Sequence, residues 1–291
     1  MMKGTMLKVY TLFKRMPQIL RSIKMVIKNG GASKIYVTQT NDNASLLGKR
    51  VLITGGGSGI GLSIAKKAIA QGATVVIVGR NDEKLKDASV KINSPRLITK
   101  VWDVSNIDSI TKNLSELNNL LGGEFDILVN NAGIIDGTNF PNVAPKQWDK
   151  IYSVNSRAVF FLSQEIVKRW LQSGKVSKYR KIINISSQGG FVGATYPYRL
   201  TKWDVVGMTQ GLALKLAPKG IIVNGIAPGI IATEMQNSSL VDQSNAFINE
   251  NPLKRYALPE EIAELAGFLM SDSSNFIVGH TVVCDGGFIL K

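Results

Sequence analysis

The chain has 291 residues, 44% of them hydrophobic, which is enough for one large α/β domain with a filled core. A single cysteine (Cys284) excludes an intrachain disulfide and argues against a cysteine-built metal site; a single histidine (His280), with no Gly-x-Ser-x-Gly elbow, argues against Ser-His-Asp chemistry. The formal charge of +14 is uneven, because residues 1–50 hold ten Lys/Arg against Asp42 alone, so the basicity belongs mostly to the N-terminal extension. No basic residues interleaved with aromatics form a stacking surface, so nucleic acid is not an expected partner. The cysteine usage fits a reducing compartment, and the cytoplasm is the expected location.

Residues 1–30 carry Met6, Tyr10, Phe13, Met16, Leu20, Ile23 and Ile27 at spacings of three and four, between lysines and arginines. This predicts a basic amphipathic helix, interrupted at Pro17 and ended by Asn29-Gly30-Gly31. Such a helix could lie on an anionic membrane surface, but packing on the domain or on a neighbouring subunit is favoured. No apolar run reaches the roughly 20 residues of a bilayer span. No compact apolar stretch with a small-residue cleavage site marks a signal peptide. Residues 33–48 read as a linker with one short strand at 34–40. The expected division is therefore an extension and linker, 1–46, followed by one domain, 47–291.

Arg50-Val51-Leu52-Ile53-Thr54 predicts a first strand. Gly55-Gly56-Gly57-Ser58-Gly59-Ile60-Gly61 and a helical pattern through Ile69 follow. Glycines permit a tight turn and close backbone approach, and the helix N-terminus then faces a pyrophosphate. Residues 72–78 predict the second strand, ending at Gly79-Arg80. An acid here would bind the ribose hydroxyls of NAD and repel a 2′-phosphate; Gly79 occupies that place and Arg80 follows, so NADP(H) is favoured over NAD(H). Further strands are expected at 97–104, ending in Asp103-Val104, and at 125–130, followed by Asn131-Ala132-Gly133. Others are expected at 181–185, ending in Ser186-Ser187, at 221–226, running into Ala227-Pro228-Gly229, and at 280–284 before Asp285-Gly286-Gly287. Helices are expected at 107–121, 147–170, 198–217 and from Pro259. Residues 230–252 are polar and irregular, as a lid would be.

The alternation predicts an α/β, doubly wound Rossmann fold: a seven-stranded parallel sheet with helices on both faces and ligands at the carboxyl ends of the strands. The glycine loop, Arg80, Asp103, Asn131, Ser187 and Pro228-Gly229 all fall at such ends, which argues for one composite site.

Tyr198 and Lys202 lie four apart in one predicted helix, so both side chains reach one pocket. A phenol with a pKa of about 10 is a poor proton shuttle at neutral pH, and a nearby ammonium stabilises the phenolate. Tyr198 thus reads as a proton donor to a carbonyl, or a base toward an alcohol. Alone, Tyr-x-x-x-Lys arises often by chance; its place downstream of the glycine loop, Asn131 and the serine pair gives it weight. Asn155 sits in a largely apolar run with Ile151, Val154 and Val159, where an amide needs a partner, either backbone or a water relay.

In this order and spacing, these motifs resemble the short-chain dehydrogenase/reductase family of the single-domain type, over about residues 47–291. They are Thr54-Gly55-x-x-x-Gly59-Ile60-Gly61, Asn130-Asn131-Ala132-Gly133, Asn155, Ser186-Ser187, Tyr198-x-x-x-Lys202, Pro228-Gly229 with Thr233, and Asp285-Gly286-Gly287. The resemblance implies that Tyr198 protonates the carbonyl oxygen and Ser187 orients it. Lys202 would bind the nicotinamide ribose and lower the tyrosine pKa, and Asn155 would hold a relay water. Hydride would pass between nicotinamide C4 and the substrate carbon, with no metal. Cofactor contacts are expected from Gly55, Ser58, Gly59, Ile60, Gly61, Arg80, Asp103, Val104, Asn131, Ala132, Gly133, Tyr198, Lys202, Pro228, Gly229, Ile231 and Thr233. A homotetramer or dimer is implied, acting on a small carbonyl or alcohol.

Ser187 precedes Tyr198 by eleven residues, where the family usually has about thirteen, so Ser186 stays open as the alternative to the favoured Ser187. The substrate pocket is expected from 188–197, 134–140 and 230–252. The expected activity is NAD(P)-dependent, with NADPH-driven reduction favoured. A nucleotide-binding scaffold acting through the basic extension is the alternative, against which the complete Asn155-Ser187-Tyr198-Lys202 set argues.

Overall fold

The computed structural model describes residues 44–136, 138–173, 179–232 and 250–290, the backbone of 32–34 and 244–246, and the helical, exposed residues Met16, Leu20, Ile23 and Lys24. The rest of the expected basic helix, residues 35–40 of the expected short strand, Thr233 and most of the expected lid lie outside the described residues.

Runs of β-branched residues build the sheet. The strands are β2 (Arg50–Thr54), β3 (Thr74–Gly79), β4 (Leu97–Val101), β5 (Ile127–Asn130), β6 (Arg180–Ile185), β7 (Ile221–Pro228) and β9 (Thr281–Cys284). They lie in the order β4-β3-β2-β5-β6-β7-β9, and every neighbouring pair is parallel. A parallel sheet is covered on both faces, which is why β3 and β7 are nearly continuous apolar runs. A two-stranded antiparallel pair, β1 (Ala32–Lys34) with β8 (Ser244–Ala246), stands apart.

The period-two alternation of each strand divides the core. Val51, Ile53, Val75, Ile77, Val129 and Ile183 meet α1 (Gly59–Ala70), α2 (Asp82–Ile92) and α7 (Pro259–Met270) on one face. Leu52, Val76, Val78, Leu128, Ile182 and Val223 meet α3 (Ile110–Leu121), α5 (Ala158–Gln172) and α6 (Pro197–Leu216) on the other. The chain runs outward from β2 to β4 and then returns to β5 on the other side of β2. That reversal opens a crevice at the carboxyl ends of β2 and β5, where α/β sheets bind ligands.

Three features depart from the sequence expectation. Helix α2 was not expected. Its signal is Asn81, whose side chain accepts from the Lys84 N–H at 2.9 Å, with Asp82 and Glu83 in the first turn. The helix expected at 147–170 is three pieces: α4 (Pro145–Tyr152), a π turn at Ser153–Arg157, and α5. The strand expected at 97–104 stops at Val101, because Asp103 turns the chain by accepting from the Ser105 N–H at 2.9 Å and its hydroxyl at 2.7 Å.

Candidate active site

The glycine loop is held against the end of β5. The Thr54 hydroxyl accepts from the N–H groups of Asn131 and Ala132, both at 3.0 Å. The Asn131 amide donates back to the Thr54 and Gly55 carbonyl oxygens at 2.9 and 3.1 Å. The fit leaves no room for a side chain at Gly61, where a Cβ would lie 2.4 Å from the Gly55 oxygen. Gly55 itself has φ +66°, which favours glycine. Ser58 begins α1 without capping it through its side chain, and no acid stands in the first turn. The free N–H groups of that turn, with the positive end of the helix dipole, suit a phosphate. These residues fit the pyrophosphate of a dinucleotide.

From this loop a cleft of about 580 Å³ runs across the strand ends. It is lined by Gly55, Ser58, Gly59, Ile60 and Gly61, then by Asn131, Ala132 and Gly133, then by Ser186, Ser187, Tyr198 and Lys202, and at its far wall by Pro228, Gly229 and Ile231. A smaller hollow of about 150 Å³ adjoins it and is lined by Arg80, Asp103 and Val104, sharing Gly55, Ala132 and Gly133 with the cleft. The two hollows thus gather every expected site residue except Asn155 and Thr233. Thr233 is outside the described residues. Asn155 stands behind the wall: it accepts from the Ile134 N–H and donates to the Ile134 carbonyl oxygen, both at 2.8 Å. The π turn around it carries it there.

At the reacting end, α6 presents Tyr198 and Lys202 on one face. The Lys202 ammonium donates to the Ile185 carbonyl oxygen at 3.0 Å and lies 5.5 Å from the centroid of the Tyr198 ring. Burial lowers the Lys202 pKa to about 8. Burial also raises the Tyr198 pKa, opposed by its hydrogen bond with Ser187. Burial is the largest influence on Tyr198 and raises its pKa, opposite in direction to the lowering expected from Lys202. The two serines differ in what they touch. Ser186 donates to the Lys202 carbonyl oxygen at 2.8 Å, whereas Ser187 bonds the Tyr198 phenol and accepts from the Gly189 N–H at 3.1 Å. Gly190 lets this turn press on α6, since a Cβ there would lie 2.7 Å from the Lys202 oxygen. Such an arrangement can deliver a proton to an oxygen held between a phenol and a hydroxyl.

Sequence reasoning missed Lys84 and Ile185, both of which line the cleft. Lys84 belongs to the unexpected helix α2. Ile134 and Ile135 line the cleft as expected, but none of residues 188–197 does. Among the described residues no cluster of metal-ligating side chains is present.

A family model described as enoyl-(acyl carrier protein) reductase matches residues 55–289. The 3-oxoacyl-(acyl-carrier-protein) reductase of Rickettsia prowazekii is 35% identical over 247 residues, 84% of this chain and 98% of the relative. The gluconate 5-dehydrogenase of Gluconobacter oxydans is 35% identical over 254 residues, 86% of this chain and 98% of the relative. Among solved structures, a short-chain dehydrogenase/reductase of Mycobacterium marinum matches with TM-score 0.75 and 29% identity, covering 84% of this chain and 96% of that one. The chain belongs to the short-chain dehydrogenase/reductase family. A 3-ketoacyl-(acyl-carrier-protein) reductase of Brucella melitensis complexed with NADH has TM-score 0.76 and 30% identity, with 84% and 99% of the two chains covered. As a short-chain dehydrogenase/reductase, the protein is an oxidoreductase acting between CH–OH and C=O groups with a nicotinamide cofactor.

Proposed function

We propose that this protein reduces a ketone to a secondary alcohol with NADPH, using Tyr198 as the acid, within one domain spanning 47–291. The observation that carries the reading is that Ser187, Tyr198 and the buried Lys202 line one cleft with a phosphate-type helix N-terminus. Gly55, Ser58, Gly59, Ile60 and Gly61 would hold the pyrophosphate. Asp103, Val104, Asn131 and Ala132 would hold the adenosine end, and Pro228, Gly229 and Ile231 the nicotinamide end. Thr233 follows that wall in the sequence. When bound, the cofactor supplies the hydride.

The remaining work falls to the chain. Ser187 donates a hydrogen bond to the substrate oxygen and fixes it beside the phenol. Tyr198 passes its proton to that oxygen as negative charge builds there. The resulting phenolate is stabilised by the Lys202 ammonium. Lys202, with a pKa of about 8, is mostly protonated at neutral pH and can return a proton. Asn155 positions the segment at Ile134, and with it the wall beside Lys202. A Cβ on Gly133 would lie 3.6 Å from both the Asn155 Oδ1 and the Lys202 Nζ, so glycine keeps that wall open.

Arg80 at the end of β3, with Gly79 where an acid would bar a 2′-phosphate, supports NADP(H) over NAD(H). The names of the relatives supply two substrate classes, 3-oxoacyl thioesters and keto-sugar acids. Self-association into a dimer or tetramer would cover exposed apolar groups such as Phe276 and Phe268. The test of the reaction is NADPH consumption by the purified protein with a 3-oxoacyl thioester and with a 5-keto-sugar acid. Turnover of either carries the reading. Oxidation of NADPH by neither ketone, nor by a wider panel of ketones, would sink it.

A further inference from the structure

The described part of the N-terminal extension carries an open apolar stripe. Met16, Leu20 and Ile23 are helical and stand at spacings of four and three, so they share one face. They are 37%, 59% and 48% exposed. Lys24, beside Ile23, is exposed as well. An extension packed on its own domain would bury this stripe, and here it is open. The extension meets the later chain elsewhere, through the backbone pairing of β1 with β8.

Charge decides what covers the stripe. Residues 1–30 hold seven Lys/Arg and no Asp or Glu. Residues 1–50 carry +9 of the formal +14, which leaves +5 on residues 51–291. A second copy would bring a domain of the same sign to the basic segment, and like charges oppose that association. An anionic phospholipid surface offers the opposite sign to the basic side chains and an apolar layer to the stripe. Among the described residues no helix is long and apolar enough to cross a membrane. An apolar stripe on one side of a basic helix suits the membrane surface instead.

We propose that residues 1–30 attach this protein to anionic phospholipid surfaces. Met16, Leu20 and Ile23 enter the boundary between headgroups and acyl chains, and the basic side chains face the phosphates. Charge draws the segment to the surface and apolar burial holds it there, so attachment needs both. This attachment is independent of the reaction assigned to the cleft.

The experiment is cosedimentation of the purified full chain with vesicles of phosphatidylcholine alone, and with vesicles of phosphatidylcholine and phosphatidylglycerol in equal parts. The wild type is expected to bind the anionic vesicles at least about tenfold more tightly than the neutral ones. Salt at about 1 M, which shortens the Debye length to about 3 Å, is expected to remove most of that margin. Leu20→Ser with Ile23→Ser removes apolar surface at constant charge and is expected to weaken anionic binding by at least about tenfold. Arg21→Gln with Lys24→Gln is expected to weaken it by about tenfold while leaving the neutral vesicles unaffected. Equal binding of the wild type to both vesicles, or to neither, would overturn the proposal. So would anionic binding that survives the double serine variant, since charge alone would then account for it. Sedimentation velocity without lipid tests the other occupant: a larger species that the serine variant dissociates, with no vesicle binding, would place a second copy on the stripe. Unchanged thermal melting and NADPH binding in the variants show that the domain is intact.

Discussion

The Ser186 hydroxyl donates to the backbone carbonyl oxygen of Lys202 at 2.8 Å, which ties the end of β6 to the first turns of α6. Its neighbour Ser187 is turned the other way, onto the Tyr198 phenol. One serine thus holds the helix that carries Tyr198 and Lys202, and on the proposed mechanism the other faces the substrate oxygen. Ser187→Ala is expected to lower kcat by about 10²–10³, the usual loss for one donor to a developing oxyanion. Ser186→Ala is expected to keep most of kcat and to lose about 1 kcal/mol of stability from a buried hydrogen bond. Steady-state kinetics and urea unfolding separate the two; the reverse pattern would exchange their roles.

Two buried lysines give stability a pH dependence. Lys202 and Lys181 each have a pKa of about 8 because burial disfavours the charge. Lys181 donates to the Ser274 hydroxyl at 2.9 Å and to the Leu269 and Ser271 carbonyl oxygens at the end of α7. Below about pH 8 both folded and unfolded states hold the proton, and the burial penalty is fully felt. Between about 8 and the unfolded value of 10.5 the folded state releases it first, so stability rises with pH. The slope is up to about 1.4 kcal/mol per pH unit for each lysine. The clean window is about pH 8 to 9, since Cys284 and Tyr198, whose pKa values are raised by burial, act in the opposite sense above it. Urea unfolding across this window is expected to show the rise, smaller in Lys181→Met. A flat profile would contradict the burial of both charges.

The glycine loop admits no substitution at its tightest point. A Cβ on Gly61 would meet backbone, the Gly55 oxygen at 2.4 Å, so the loop or β5 must move. Gly61→Ala is expected to weaken nucleotide binding by at least about tenfold and to destabilise the fold by about 1–3 kcal/mol. Fluorescence titration with NADPH and thermal melting check both. Near-normal binding would mean that the loop tolerates the shift and does not set the pyrophosphate site.

The parallel sheet and most of the residues that line the cleft could be read from the chain because each strand announces itself. β-branched runs end in glycine, asparagine or serine, and in a parallel sheet those endings are the ligand face. The rest was hidden for local reasons. Helix α2 has two buried residues among many charges, so its apolar stripe is short and its cap was the only clear signal. The π turn at Ser153–Arg157 leaves the apolar spacing of a continuous helix almost unchanged, yet it is what brings Asn155 to Ile134. The pKa direction of Tyr198 depends on burial, which the four-residue spacing to Lys202 does not reveal.

On the proposed reading, cofactor choice turns on Arg80. Arg80→Asp is expected to move preference from NADPH toward NADH, since an acid there accepts from the ribose hydroxyls and repels a 2′-phosphate. Loss of a charge-assisted bond alone costs about 1.5–3 kcal/mol, roughly ten- to a hundredfold in the NADPH Kd. The ratio of kcat/KM for the two cofactors is the readout. An unchanged ratio would remove Arg80 from the site.

The most direct measurement is the rate of NADPH oxidation with a turned-over ketone for wild type and Tyr198→Phe, with the NADPH Kd measured alongside. The phenyl ring keeps the packing against Tyr196 and removes only the hydroxyl. A fall in kcat of about 10²–10⁴ with the Kd changed by less than about twofold is expected of a lost general acid. Turnover near that of the wild type would show that the proton comes from another group, and the assignment of Tyr198 would fail.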